Sequence, residues 1–255
     1  MTICPKCAYQ RLPSDTHIHA GVCPACGIAY QKYIDRQRGI APARVTPDET
    51  RPAPSGPIKA RLMELPQHVD RGAVGARAAA WCLFAAWTVW FTVHGINWEV
   101  IGGSFLHHVI LPFHEFGHLL FMPFGRFMTI LGGSLFQVLM PLGLMAAFVL
   151  KQRDTFGASV MLWWAGQSLV DLSPYVADAV DRAMPLVGGA GEAAHDWGNL
   201  LTMTGMLGHA QGLSRLCFAL GVLGMLTGIC WGARLLYLQY QALDAKPANT
   251  TSFLP

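Results

Sequence analysis

The chain has 255 residues, 53% of them hydrophobic and only 13% charged, with a formal net charge of +3. Ordinary soluble domains carry about 25% charged residues, so this composition excludes a wholly soluble protein, and the charge is too small to argue for nucleic acid. Between Ala78 and Leu150 the charged residues are only Glu99, Glu115 and Arg126, far too few for a water-facing surface. The sequence predicts an all-α polytopic membrane protein preceded by a small module.

That module is residues 1–33. Cys4-x2-Cys7 and Cys23-x2-Cys26 are separated by 15 residues, the spacing of a four-cysteine zinc ribbon, and Gly27 suits the tight turn after the last cysteine. Some 30 residues bury too little core to fold alone, so structural zinc is expected to hold them. His17 and His19 lie between the knuckles and are not needed as ligands. "RQRGIAPAR" is short and interrupted by proline, so the module is read as a cytoplasmic protein-recognition or regulatory element, with no nucleic acid as partner.

The opening stretch has no apolar core region and is not read as a secretory signal. Residues 34–77, rich in Pro, Arg and Ala, lack hydrophobic periodicity and are expected to form a flexible linker. After Arg77, five spans are expected at 78–98, 104–124, 127–150, 157–177 and about 216–238, each judged against the roughly 20 apolar residues that a crossing helix needs. Together they make a membrane-embedded domain over 78–240, followed by a tail, 241–255. Residues 179–212 are mixed and Gly-rich, a surface or re-entrant segment. Basic residues before the first span place the N-terminus in the cytoplasm. Alternation then puts Arg126, Arg182 and Arg215 inside and Lys151, Arg153, Arg234 and Lys246 outside. It also brings His114–His118 and Asp171–Asp178 to the cytoplasmic side.

The second span contains "LPFHEFGHLL" (111–120). His114 and His118 are four residues apart, so both imidazoles leave one helix face, with Glu115 beside them. This is the His-Glu-x-x-His arrangement of zinc hydrolases, in which two histidines bind zinc and the glutamate is the general base. An ionised group in mid-membrane costs about 2.5–3.5 kcal/mol on insertion scales, and such groups usually line a site. Pro112 is expected to bend the helix just before the pair, and Pro174 to break the fourth span. His107, two turns earlier, is read as pore-lining or hydrogen-bonding. A catalytic zinc needs a third protein ligand, and the candidates are Asp171, Asp178, His195 and Asp196.

"HEFGH" in an apolar helix, the Gly-rich "LGGSLFQVLMPLG" after it and a later span ending in Pro-x-x-x-Asp resemble the site-2 protease family of intramembrane zinc metalloproteases, over roughly residues 78–238. The resemblance implies zinc on His114 and His118, Glu115 as activator of water and Asp178 as third ligand. It also implies that Gln137 binds the substrate strand, and that the substrate is a membrane protein or peptide cut in or near the bilayer. The localisation expected is an integral protein of a bacterial inner membrane. A second expectation, of another class, is a non-catalytic scaffold, metal sensor or transporter that retains the metal site.

Overall fold

The structure is a computed structural model that describes residues 3–38, 58–66, 69–186 and 191–244. It divides into two compact units, Met1–Ser55 and Gly56–Pro255. The described residues are helical with no β-strand beyond two isolated antiparallel bridges, Ile3 with Gln10 and Val22 with Ala29. Part of the predicted linker (39–57, 67 and 68) and the end of the predicted tail (245–255) lie outside the described residues.

In the first unit each bridge closes one cysteine knuckle, and a short helix, α1 (Tyr30–Gln37), follows the second. Cys4, Cys23 and Tyr30 form its small core, flanked by Tyr9, Cys26 and Ile28. The loop between the knuckles is gathered by Arg11, whose guanidinium donates to the carbonyls of Asp15 (2.8 Å), Ile18 and Val22 (3.0 Å). Asp15 in turn accepts from the Leu12 N–H and the Tyr9 hydroxyl.

The second unit contains α2 (Ile58–Leu62), α3 (Arg71–His94), α4 (Trp98–Gly102), α5 (Phe105–Phe121), α6 (Arg126–Ala147, continued by a π-helical turn to Gln152), α7 (Thr155–Ala177), α8 (Asp196–Met203) and α9 (Ala210–Asp244). Side chains cap the helix starts by accepting the first free N–H groups, as Asp70, Ser104 and Asp154 do for α3, α5 and α7. Three helices, α3, α6 with its extension and the segment ending in α9, are long and apolar enough to cross a membrane.

The second and fourth of the five expected spans, α5 and α7, are not among them, for two physical reasons. First, α7 is the buried centre of the bundle, where Gln167, Ser168, Asp171 and Ser173 displace apolar side chains. Second, α5 has only 17 residues, about 25 Å of helix. The ends of the other helices show what this does to the chain path. Arg77 donates to Gln239 Oε1 at 2.9 Å and lies 4.0 Å from Asp154. Trp231 donates to the Leu62 carbonyl and Thr155 to the Glu64 carbonyl, both at 2.8 Å. The start of α3, the α6–α7 turn and the far part of α9 therefore share one end of the bundle. Higher up, Trp163 donates to Thr88 at 2.7 Å, and Phe91 packs in one cluster with Val170. So α3 and α7 run one way and α6 and α9 the other. Because α3 finishes and α6 begins at the far end, α5 makes no net crossing. Lys151, Arg153 and Arg234 consequently join Arg77 at one end, against the expected alternation, while Arg126, Arg182 and Arg215 sit at the other.

Small residues let the helices touch. A Cβ on Gly117 would lie 2.3 Å from the Gly132 carbonyl oxygen, and one on Gly132 2.6 Å from that of Gly117, so α5 and α6 meet backbone to backbone. Gly166 and Gly221 do the same for α7 and α9. Pro174 does not break α7, which continues to Ala177. The carbonyl of Val170, deprived of its usual partner by the proline, accepts from the Ser173 hydroxyl at 2.7 Å.

Candidate metal centres

The two metal-type clusters predicted from sequence are both assembled. In the first, the sulfurs of Cys4, Cys7, Cys23 and Cys26 lie within 4.8 Å of one another, with Cys4–Cys26 at 3.7 Å and Cys7–Cys23 at 3.6 Å. All four are free thiols. Tetrahedral bonds of about 2.3 Å set sulfurs about 3.8 Å apart, so the spacing is that of four ligands around one ion and not of two disulfides. The thiols resist joint ionisation. Burial pushes Cys23 up, but the N–H groups of Cys26 and Ala25 and the neighbouring thiols outweigh it and bring it down to about 6. The Tyr9 backbone favours the Cys7 thiolate, yet desolvation and the other thiols win and push it up to about 12. A cation supplies the charge that lets all four deprotonate. His19 accepts from the Gly21 N–H and stays outside the cluster.

The second cluster is His114, Glu115 and His118 on α5, which can hold a metal ion. The rings are 4.9 Å apart, edge to face, on one wall of a cavity of about 470 Å³ that Leu111, Ile130, Leu172 and Pro185 also line. The Nδ1 of each ring faces an acceptor. For His118 it is the Thr129 carbonyl at 2.8 Å. For His114 it is Gln137 Oε1 at 2.7 Å, whose identity as oxygen follows because the other end of that amide donates to the Ser168 carbonyl at 2.9 Å. Both Nδ1 atoms therefore carry the proton, and both Nε2 lone pairs are left to point elsewhere.

They point at one atom. Asp196 Oδ2 lies 3.1 Å from His114 Nε2 and 3.3 Å from His118 Nε2. Ligand bonds of about 2.0–2.1 Å around a tetrahedral ion give edges of about 3.3 Å. Three electron-pair donors thus converge, and only positive charge among them makes that stable: two extra protons or one divalent cation. Space is kept beside them, because a Cβ on Gly133 would lie 2.6 Å from His118 Nε2 and 2.7 Å from His114 Nε2. An ion at this site would have no room beside the methyl of Gly133→Ala, so the variant is expected to bind one metal ion per chain fewer than the parent, read as metal content per chain.

Asp196 reaches the pair because α8 is held across the cavity. Its N–H donates to the Tyr175 hydroxyl at 2.9 Å, and Trp197 donates to Ser134 of α6 at 3.0 Å. Burial raises the Asp196 carboxyl, but the His114 and His118 imidazoles that face it outweigh that and hold it below the usual range. Of the four candidate third ligands, Asp196 alone meets the pair. Asp178 is engaged elsewhere: its carboxylate accepts from the Ala183 and Met184 N–H groups, at 3.1 and 2.9 Å, and from His195 Nε2 at 3.2 Å. His195, fully buried, accepts the Gly198 N–H at Nδ1 and so caps α8. Burial lowers its pKa despite Asp178, which keeps it neutral with the proton on Nε2. Asp178 and His195 are thus supports of the segment that carries Asp196. Asp171 accepts from His107 Nδ1 at 3.0 Å on the cavity wall, with Trp98 edge-on to that imidazole at 5.1 Å.

Gln137, expected on the substrate, is only 3% exposed, and both ends of its amide are used inside the protein. It orients His114 instead. Glu115 projects from the exposed side of the cluster into the cavity. Sequence reasoning missed Tyr175, Ser134, Trp197 and the Thr129 carbonyl, which act through tertiary contact. The Gly132-Gly133-Ser134 run within an apolar helix is the local signal available for the close approach. Compared with family models, curated proteins and solved structures, the chain finds no match.

Proposed function

We propose that the protein is a membrane-embedded zinc metalloprotease that hydrolyses peptide bonds in or near the bilayer, with a zinc ribbon as its amino-terminal unit for regulation or partner binding. Four helices, α3, α6, α7 and α9, cross the membrane in this reading, and α5 sits among them without crossing. The observation that carries it is the convergence of His114 Nε2, His118 Nε2 and Asp196 Oδ2 beside Glu115 in a cavity. The donor set of two imidazoles and one carboxylate fits zinc with an open fourth position.

Zinc in that position supplies Lewis acidity, which lowers the pKa of water to about 7 and polarises a carbonyl. The chain's own residues do the rest. His114 and His118 are held in the correct tautomer by Gln137 and the Thr129 carbonyl. Glu115 takes a proton from water on the cavity side and returns it to the leaving amine. A helical substrate has its backbone groups already paired, so it must unwind before a peptide bond can enter.

New protein N-termini in membranes from cells expressing the chain, set against those from cells expressing Glu115→Gln, test the proposal. New termini that depend on Glu115 are expected. Identical sets from both, with zinc retained, would leave a sensor or scaffold.

A further inference from the structure

The metal site lies at one end of the bundle, and the end is identifiable. His118 meets Thr129 near the start of α6, and Asp196 and Asp178 follow the end of α7. The opposite end holds the start of α3, the α6–α7 turn and the far part of α9. Among the described residues, that opposite end carries Lys59, Arg61, Arg71, Arg77, Lys151, Arg153 and Arg234, whereas the site end carries Arg126, Arg182 and Arg215.

Lysine and arginine within about 15–20 residues of a membrane-crossing helix are retained on the cytoplasmic side, and acidic residues weigh little in that choice. The excess is seven to three, and it falls on the end away from the site. Because α5 makes no net crossing, Lys151, Arg153 and Arg234 lie with Arg77, and Arg126, Arg182 and Arg215 lie at the site end.

We infer that the metal site opens on the extracytoplasmic side of the membrane, so that its substrates are polypeptides whose scissile bond lies in the outer half of the bilayer or just beyond it. The substrate class rests on the protease reading; the sidedness does not. A cytoplasmic chain reaches the cavity only after translocation, and a membrane protein presents to it the outward end of a crossing helix.

Two single cysteines test this in the full-length protein. Glu192→Cys stands on the exposed segment before α8, and Lys151→Cys on the α6–α7 turn; both positions are exposed, and neither belongs to the metal centres. Right-side-out vesicles are treated with a membrane-impermeant maleimide, then dissolved in detergent and treated with a second, distinguishable maleimide. The parent chain, with its own seven cysteines, is labelled in parallel and subtracted, and an unchanged zinc content shows that each variant has folded. Glu192→Cys should add one label per chain before lysis, and Lys151→Cys one label only after it. The reverse pattern, or both cysteines labelled before lysis, overturns the inference. Labelling needs no proteolysis, and the search for new N-termini needs no sidedness, so the two readings fail separately.

Discussion

Asp196→Ala is expected to lower bound zinc from two ions per chain to one. The reason is the geometry of α8: its first residue places one carboxylate oxygen within 3.3 Å of both imidazole Nε2 atoms. Removing that carboxylate leaves two neutral donors, and a protein zinc site of only two ligands is not retained against a chelator. Asp178→Asn gives the contrast. It loses the charge that faces His195 and weakens acceptance from the Ala183 and Met184 N–H groups, so α8 is less firmly placed. Losses of about 10–100-fold in affinity are usual when the supports of a ligand are removed, so Asp178→Asn should retain the ion at high zinc and lose it under mild chelation. Metal analysis after graded dialysis distinguishes the two. Equal and complete loss in both would return Asp178 to the position of a ligand.

Glu115→Gln is expected to keep both ions and remove about 10²–10⁴-fold of the hydrolytic rate, the range that a positioned general base contributes. It should do so without destabilising the fold. The Glu115 carboxylate projects from the exposed side of the cluster into the cavity, so the neutral amide of equal size should leave the thermal transition of the detergent-solubilised protein unchanged or raised. A residue kept for structure would behave the other way, with its replacement lowering the transition. Gain in stability with loss of activity is the signature of a strained group retained for chemistry.

How much of this was legible in the sequence depends on how local each pattern is. His114, Glu115 and His118 lie within five consecutive residues, so the helix alone sets their relative positions, and the four cysteines form two tight knuckles. Both clusters could be read directly. The partner of the histidines could not, because it depends on how the segments 178–186 and 191–196 lie over the bundle. Asp196 stood among four candidates, and the Pro-x-x-x-Asp pattern favoured Asp178, whose carboxylate is consumed by two backbone N–H groups and His195. Pro174 pointed to a helix end that is absent, since the Ser173 hydroxyl satisfies the carbonyl that the proline strands. Five spans were expected where three helices are long and apolar enough to cross a membrane, for a related reason. Hydropathy weighs composition, while α5 and α7 are decided by what surrounds them: α5 borders a cavity, and α7 is enclosed on most of its faces.

The central claim is that a divalent cation is held among His114, His118 and Asp196. It is tested most directly by zinc K-edge X-ray absorption on the full-length Cys4→Ser/Cys7→Ser variant, in which the ribbon no longer competes. One zinc per chain is predicted, with only nitrogen and oxygen neighbours at about 2.0–2.1 Å, two of them imidazoles. A variant that binds no zinc, or binds it through sulfur, would contradict the account.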